Sequence, residues 1–245
     1  MMTGQPGRKL LPGRPLLASE ERDYQLDRGT AAEQFSVRFL ARLAALNGFV
    51  RASGETIEGG LFYWDQVNEF DDRAPDPTLA PARRNLWRAC RFKRSMLEVG
   101  VNAGHGALLF LSANTDLVWH GVDICEHGYV EPCVEYLARE FPGRVHLHRG
   151  DSREVLPRLA THRPELDFDL FHVDGGHTDM LCRTDVANCI RLAKGGRGKH
   201  LVLDDINASW IFDVYCEFVS LGYLATETLF DDWEDVSRNV LARIL

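Results

Sequence analysis

Three aspartates that follow short apolar segments are the residues of this chain whose types and spacing best suit chemistry. Asp174 comes directly after the segment 168–173, and Asp204 and Asp205 come directly after the segment 201–203. Neighbouring carboxylates repel one another and lose hydration unless a proton or a cation neutralises them. A hard divalent cation such as Mg²⁺ takes oxygen ligands of this kind. We therefore predict a metal site made by Asp174, Asp204 and Asp205.

Other roles for the same aspartates stay open at this point. Asp204 and Asp205 could cap a helix that begins near Ala208, while Asp174 could orient a cofactor or a substrate. His177, which follows Asp174 after two glycines, is the candidate general base because histidine titrates near neutrality. A structural role for His177 is an equal alternative.

A second candidate site is a glycine-rich segment, Glu98-Val99-Gly100-Val101-Asn102-Ala103-Gly104-His105-Gly106. Glycines let the backbone turn sharply near a ligand, and a helix that follows such a turn offers free N–H groups. The spacing is G-x-x-x-G-x-G, whereas dinucleotide-binding proteins carry G-x-G-x-x-G. The carboxylate of Glu98 also suits a ligand with a sulfonium and an α-amino group better than it suits a pyrophosphate. Both features disfavour an NAD(P)-dependent oxidoreductase.

The elements that must position these residues are short apolar segments that alternate with helical patterns from residue 95 onward. This alternation predicts right-handed β-α-β units around a parallel sheet, whose ligands bind at the carboxyl ends of the strands. The predicted strands are 96–99, 118–122, 145–148, 168–173 and 201–203, with helices near 105–113, 130–141, 152–160, 178–193 and 208–220. Two further strands, 226–230 and 239–244, are predicted to form an antiparallel hairpin around the acidic turn 231–235.

The glycine segment and its surroundings resemble motif I of the class I S-adenosylmethionine-dependent methyltransferases, over roughly residues 90–245. The resemblance implies an α/β fold with a Rossmann-like doubly wound sheet, mostly parallel, of order 3-2-1-4-5-7-6. Asp123, 23 positions after Gly100, would accept hydrogen bonds from the ribose, whereas Asp151 and Ser152 would lie near adenine or cap a helix. The cofactor-binding residues that follow are Glu98, Gly100, Asn102, Gly104, Gly106, Asp123, Ile124, Asp151, Ser152 and Asp174.

The acidic positions are similar to those of metal-dependent small-molecule O-methyltransferases, including the catechol type and those that act on sugars of natural products. This similarity implies Mg²⁺-assisted methylation of a small-molecule hydroxyl, with Asp174 and His177 as catalytic residues. The metal would lower the pKa of the acceptor oxygen and align it with the methyl group. A metal-independent N- or O-methyltransferase and a non-catalytic cofactor- or partner-binding subunit remain alternatives.

Composition indicates the setting in which this site would work. A net charge of −8 disfavours nucleic acid as the main partner, and the basic residues between Arg83 and Arg94 are expected to be solvated. The six cysteines lack metal-type spacing, which favours a reducing, cytoplasmic compartment. We find neither a signal-peptide pattern nor an apolar run of the ~20 residues that a membrane span needs.

We divide the chain into a flexible arm over 1–30, a helical N-terminal extension or lid over 31–90, and a cofactor-binding methyltransferase domain over 91–245. The extension would supply the acceptor pocket or a contact between subunits of a homo-oligomer. Its predicted parts are a helix that ends at Gly48, a loop over 71–81, and an aromatic segment over 59–64 that is either a lid or core packing.

Overall fold

The computed structural model describes residues 23–27, 30–63, 75–195, 198–227 and 238–245. Strands and helices alternate through the second part of the chain, as the sequence predicts. The strands are β1 (Tyr24–Leu26), β2 (Glu33–Phe35), β3 (Ser95–Val99), β4 (Val118–Asp123), β5 (Val145–Arg149), β6 (Leu170–Val173), β7 (His200–Leu203), β8 (Leu224–Thr226) and β9 (Val240–Ile244). The helices are α1 (Val37–Ser53), α2 (Ala80–Cys90), α3 (His105–Ala113), α4 (Val130–Glu140), α5 (Ser152–His162), α6 (Asp179–Leu192) and α7 (Ser209–Ser220), and Pro77–Leu79 form a 3₁₀ turn.

The central sheet has the order β5-β4-β3-β6-β7-β9-β8. Neighbours from β5 to β7 are parallel, and β9 runs antiparallel to both β7 and β8. Counted from β3, this is the predicted Rossmann-like order 3-2-1-4-5-7-6, which is confirmed. The strand predicted at 226–230 begins earlier, because Leu224 packs into the core. Residues 228–230 and the turn 231–235 lie outside the described residues.

The central strands are apolar over nearly their full length because helices cover both of their faces. Leu97, Phe171 and Leu201 are fully buried. One hydrophobic core contains side chains of α1, α2, α3 and α4, and the other contains those of α5, α6 and α7. No helix among the described residues combines the length and the apolar character that a membrane crossing needs.

The sequence predicted that the first helix ends at Gly48, and this prediction is wrong, because the helix continues to Ser53. A glycine inside a helix costs about 1 kcal/mol relative to alanine. Leu46 and Val50, which flank Gly48, are fully buried, so their packing outweighs this cost. The helix ends at Gly54, whose φ of 75° gives the left-handed backbone of a common C-terminal cap.

Part of the predicted arm is folded, because β1 and β2 pair as antiparallel strands and Tyr24 is fully buried. Part of the predicted loop over 71–81 is regular as well. Asp76 accepts a hydrogen bond from the backbone N–H of Thr78, at 2.8 Å, and so caps the turn that leads into α2. Residues 1–22, 28–29 and 64–74, and with them Trp64 of the predicted aromatic segment, lie outside the described residues.

The basic cluster before β3 is not solvated throughout, because Arg83 is buried. Its guanidinium forms two hydrogen bonds to the carboxylate of Glu33, at 2.8 and 2.7 Å, and donates to the carbonyl of Leu61. A buried arginine is stable only when its charge and its donors are satisfied in this way. The prediction failed at Arg83 because its partner lies 50 residues earlier.

Candidate functional site

The loop between β3 and α3 passes very close to the loop that follows β6. Gly100 has a φ of 85°, and a Cβ at this position would lie 1.9 Å from the carbonyl oxygen of Asp174. Only glycine therefore fits here. A Cβ at Gly106 would lie 2.3 Å from Oε1 of Glu98, so a second glycine of the motif makes room for a buried carboxylate.

Asp123, at the end of β4, holds the glycine loop in place. One carboxylate oxygen accepts hydrogen bonds from the backbone N–H groups of Val101, at 2.8 Å, and Asn102, at 3.1 Å. The other accepts from the N–H of Cys125, at 2.6 Å. The oxygen that accepts from Cys125 retains acceptor capacity, whereas the other already accepts two hydrogen bonds. The predicted ribose contact thus stays a prediction, beside an observed role in shaping the loop.

A cavity of about 360 Å³ lies between the glycine loop and the ends of β4, β5 and β6. Asp123, Ile124, Asp151 and Ser152 all line it, as the sequence predicted for the cofactor site. Ile124 is 57% exposed and offers an apolar surface. Asp151 also caps α5 by accepting from the backbone N–H of Arg153, so the two roles proposed for it are compatible.

A larger cavity of about 810 Å³ adjoins the first, and both are lined by Gly100, Asn102, Asp174 and His177. The wall opposite the sheet comes from the N-terminal extension. Its apolar lining residues are Ile57, Leu61, Leu79, Ala82 and Leu86. The aromatic residues Phe62 and Tyr63, which follow Leu61, are buried in the core instead. Core packing is therefore confirmed for Phe62 and Tyr63, and the lid stays a prediction.

The predicted metal ligands gather at the floor of the larger cavity, together with two histidines. Potential ligand atoms of His172, Asp174 and Asp204 lie within 4.8 Å of one another, as do those of Asp174, His177 and Asp205. Asp174 is common to both groups. Each group thus contains a histidine in addition to carboxylates, which the sequence prediction did not include for the metal site.

His172 is the site residue that the sequence reasoning missed. It lies in β6, directly beside Glu98 of β3, and its side chain is 2% exposed. Its Nδ1 is 2.9 Å from Oε1 of Glu98, while the other oxygen of Glu98 accepts from Nε1 of Trp119 at 2.7 Å. A usable signal was the spacing, because residues two apart on a strand project from the same face, as His172 and Asp174 do.

The second ring nitrogen of His172 faces Asp204. Its Nε2 is 3.7 Å from Oδ2 of Asp204, which is too long for a hydrogen bond. This nitrogen is buried and has no hydrogen-bond partner among the described residues. Glu98 meanwhile uses both of its oxygens on protein groups, so its predicted direct contact with the cofactor stays a prediction.

The charges in this cluster shift the proton affinity of its members. Desolvation at the cleft floor, the charge of Asp204, and smaller contributions from other carboxylates raise the pKa of Asp174 well above its usual value, despite the opposing effect of His172. The side chain remains accessible to the cavity. Burial alone would lower the pKa of His172, but the neighbouring carboxylates outweigh it and raise this pKa to about 10.

His177 is paired with Asp205, since its Nε2 lies 2.7 Å from Oδ2 of that residue. The hydrogen bond to Asp205 raises the pKa of His177 to about 9. Burial is the largest influence on Asp205 and would raise its pKa, but this hydrogen bond and the neighbouring positive charges together lower it. The backbone carbonyl of His177 accepts from Nε1 of Trp210 at 2.8 Å, which fixes the loop after β6. In the absence of a cation, His177 therefore holds its proton near neutrality.

Comparisons with known proteins show which proteins this chain resembles. A family model described as "Methyltransferase domain" matches residues 97–206. Over these residues the chain resembles methyltransferases. The resemblance drawn from the glycine segment is confirmed, and the matched range runs from β3 to the acidic pair after β7. No curated protein matches the sequence significantly.

Solved structures of methyltransferases share the fold at low sequence identity. The O-methyltransferase of Bacillus cereus in complex with SAH gives a TM-score of 0.58 at 12% identity, covering 86% of this chain and 92% of that one. The O-methyltransferase TomG of Streptomyces achromogenes, in complex with SAM, gives 0.54 at 16% identity, with 83% and 89% covered. The mycinamycin-pathway methyltransferase MycE, in complex with Mg and SAH, gives 0.50 at 16% identity, with 81% and 54% covered.

Proposed function

We propose that this protein transfers a methyl group from S-adenosylmethionine to a hydroxyl oxygen of a small molecule, with a divalent cation such as Mg²⁺ bound at the acidic cluster. The observation that carries the proposal is the contact between Gly100 and Asp174. It joins the candidate cofactor loop to the candidate metal ligand in one continuous cleft.

The cofactor fits the smaller cavity and the adjoining glycine loop. The first turn of α3 has no side-chain cap, so its backbone N–H groups are available to a carboxylate. Ile124 would pack against an aromatic base, and Asp123 would accept from ribose hydroxyls. The similar structures of the Bacillus cereus and TomG enzymes were solved with SAH and SAM, respectively.

The cation fits the floor of the larger cavity. Asp174, Asp204 and Asp205 offer oxygen ligands that are accessible from the cleft. Desolvation and then the charge of Asp204 raise the pKa of Asp174. When bound, a divalent cation would lower the pKa of an acceptor hydroxyl and orient its oxygen. The similar structure of MycE was solved with Mg.

In the reaction, the acceptor oxygen forms a bond to the methyl carbon as the carbon–sulfur bond breaks, so the acceptor must lose its proton. This chain would hold the two reactants in line, since orientation contributes much of the rate. His177 in its neutral form, with Nε2 paired to Asp205, would receive the proton at its other ring nitrogen, Nδ1. The apolar wall of the extension would exclude water and hold the acceptor.

The His177–Asp205 pair also supports a second candidate, a methyltransferase that works without metal. The test is transfer of labelled methyl from S-adenosylmethionine to a panel of hydroxylated small molecules, with the protein untreated, treated with EDTA, and reloaded with Mg²⁺. Loss of transfer with EDTA and recovery with metal supports the first proposal. Transfer that EDTA leaves unchanged favours the second candidate, and cofactor binding without any transfer favours a non-catalytic subunit.

A further inference from the structure

We propose that His172 is itself a ligand of the divalent cation, oriented by Glu98, so that the site binds the ion through nitrogen as well as oxygen. The inference rests on the metal site of the proposed function and goes beyond it. It adds a ligand, assigns Glu98 a task, and changes the kind of ion that the site prefers.

The environment of His172 Nε2 favours a bound ion. This nitrogen is buried, has no hydrogen-bond partner among the described residues, and points toward Asp204 at 3.7 Å. Buried polar atoms are rarely left unsatisfied, so a partner is expected at this position. The Nε2 atom and carboxylate oxygens of Asp174 and Asp204 lie within 4.8 Å of one another, which leaves room for one ion among them.

The contact on the other side of the His172 ring is also typical of a metal ligand. Histidines that bind metals nearly always donate their second ring N–H to a carboxylate or a carbonyl, which fixes the tautomer and the ring orientation. Glu98 provides such a carboxylate 2.9 Å from Nδ1. Trp119 holds the opposite oxygen of Glu98 at 2.7 Å, so the carboxylate cannot turn away. The Glu98 carboxylate therefore contacts one side of the His172 ring, and the oxygens of Asp174 and Asp204 lie near its other side.

An imidazole ligand also changes which ion the site prefers. Oxygen-only sites suit Mg²⁺, whereas an imidazole nitrogen favours first-row transition metals. A site made by His172, Asp174 and Asp204, with Asp205 close by, therefore prefers Mn²⁺, Co²⁺ or Zn²⁺ to Mg²⁺. A site with only carboxylate ligands, as predicted from the sequence, would discriminate less between these transition metals and Mg²⁺.

The test is pulsed electron paramagnetic resonance on metal-stripped protein loaded with Mn²⁺, which detects a directly bound nitrogen. The variants are His172→Gln, which removes the ligand, and Glu98→Gln, which keeps the imidazole but weakens its orientation. His177→Gln is the matched control, because it removes the other histidine of the same cluster. Thermal unfolding and binding of S-adenosylhomocysteine show whether each variant is folded.

We expect a nitrogen coupling in the wild-type protein that persists in His177→Gln and disappears in His172→Gln. Mn²⁺ affinity should fall about 10- to 100-fold in Glu98→Gln, as is usual when the partner of a metal-bound histidine is removed. Calorimetry should show a larger loss for Mn²⁺ than for Mg²⁺ in His172→Gln.

Bound Mn²⁺ without nitrogen coupling would overturn the inference, since His172 would then only offset the charge of Asp204. A nitrogen coupling that disappears in His177→Gln would show that His177 binds the ion, and this result would also overturn the inference. Failure of Mn²⁺ and Mg²⁺ to bind would remove the metal site altogether. Unchanged binding of S-adenosylhomocysteine in that case would leave the cofactor part of the proposed function intact.

Discussion

The backbone carbonyl of Asp174 occupies the space that a side chain at Gly100 would need. A Cβ there would lie 1.9 Å from the oxygen. Asp174 N in turn donates to the carbonyl of Val99 at 2.9 Å, so the two loops are fixed to each other from both sides. Cofactor loop and acidic cluster thus form a single rigid unit, and a change in one must disturb the other.

Replacing Gly100 with alanine should therefore abolish binding of S-adenosylhomocysteine. The methyl group collides with main chain that cannot move aside, and the φ of 85° is unfavourable for alanine. Gly143→Ala is the matched control, because Gly143 has a φ of 76° with open space around it. It should lose about 1–2 kcal/mol of stability through backbone strain alone and bind normally. Calorimetry and chemical denaturation check both, and equal losses in the two variants would refute the steric argument.

Asp123→Ala should weaken the binding of S-adenosylhomocysteine by about 10- to 100-fold, since hydrogen bonds to a charged group contribute about 1.5–3 kcal/mol each. The variant loses the carboxylate that fixes the N–H groups of Val101 and Asn102, along with the predicted ribose contact. Asp116→Ala, an exposed aspartate in the turn before β4, is the control and should bind as the wild type does. If the wild type and both variants bound S-adenosylhomocysteine with equal affinity, Asp123 would neither hold the loop for the cofactor nor contact the ribose.

The segment after α1 is tied to the loop before α4 by a histidine, and this tie should depend on pH. His127 contacts Glu55 through Nδ1 at 2.7 Å and Glu58 through Nε2 at 3.3 Å. Burial is the largest single influence and opposes the charged form, but the hydrogen bonds and charges of the two glutamates together outweigh it and raise the pKa of His127. A raised pKa in the folded state gives stabilisation that is complete below the ordinary value near 6.5 and is lost as pH rises through the folded-state value.

We therefore expect hydrogen exchange in residues 55–59 to be slow at pH 6 and faster above the pKa of His127, beyond the intrinsic effect of pH on exchange. Because Glu58 and Asn102 line both cavities, dissociation of bound S-adenosylhomocysteine should accelerate in parallel. Glu55→Gln should remove most of this pH dependence. A segment equally protected in both proteins at every pH would show that the ion pair does not hold it.

The buried pair of Arg83 and Glu33 should dominate the stability of the N-terminal extension. Removing one partner of a buried ion pair leaves an uncompensated charge and usually costs about 3–5 kcal/mol. Arg83→Met should therefore lower the free energy of unfolding by about this amount, because Glu33 is then buried alone. The double variant Glu33→Gln, Arg83→Met should recover much of the loss. Denaturant titration measures both, and a fully additive double variant would contradict the pairing.

Local pattern was enough to predict the strands, and the resemblance carried by Gly100, Gly104 and Gly106 supplied their order in the sheet. The features that failed depend on partners distant in sequence. Gly48 stays helical because of the core around Leu46 and Val50, and Arg83 is buried because Glu33 is near. His172 became visible as a site residue only when strand register placed it beside Glu98.

The most direct test of the central claim, that cofactor and cation share one cleft, is calorimetric titration of the metal-stripped protein with S-adenosylhomocysteine, with and without Mg²⁺ or Mn²⁺. We predict saturable binding at one site per chain, lost in Gly100→Ala, and a separate heat for the metal that requires Asp174 and Asp204. Absence of any binding by the folded wild-type protein would contradict the account.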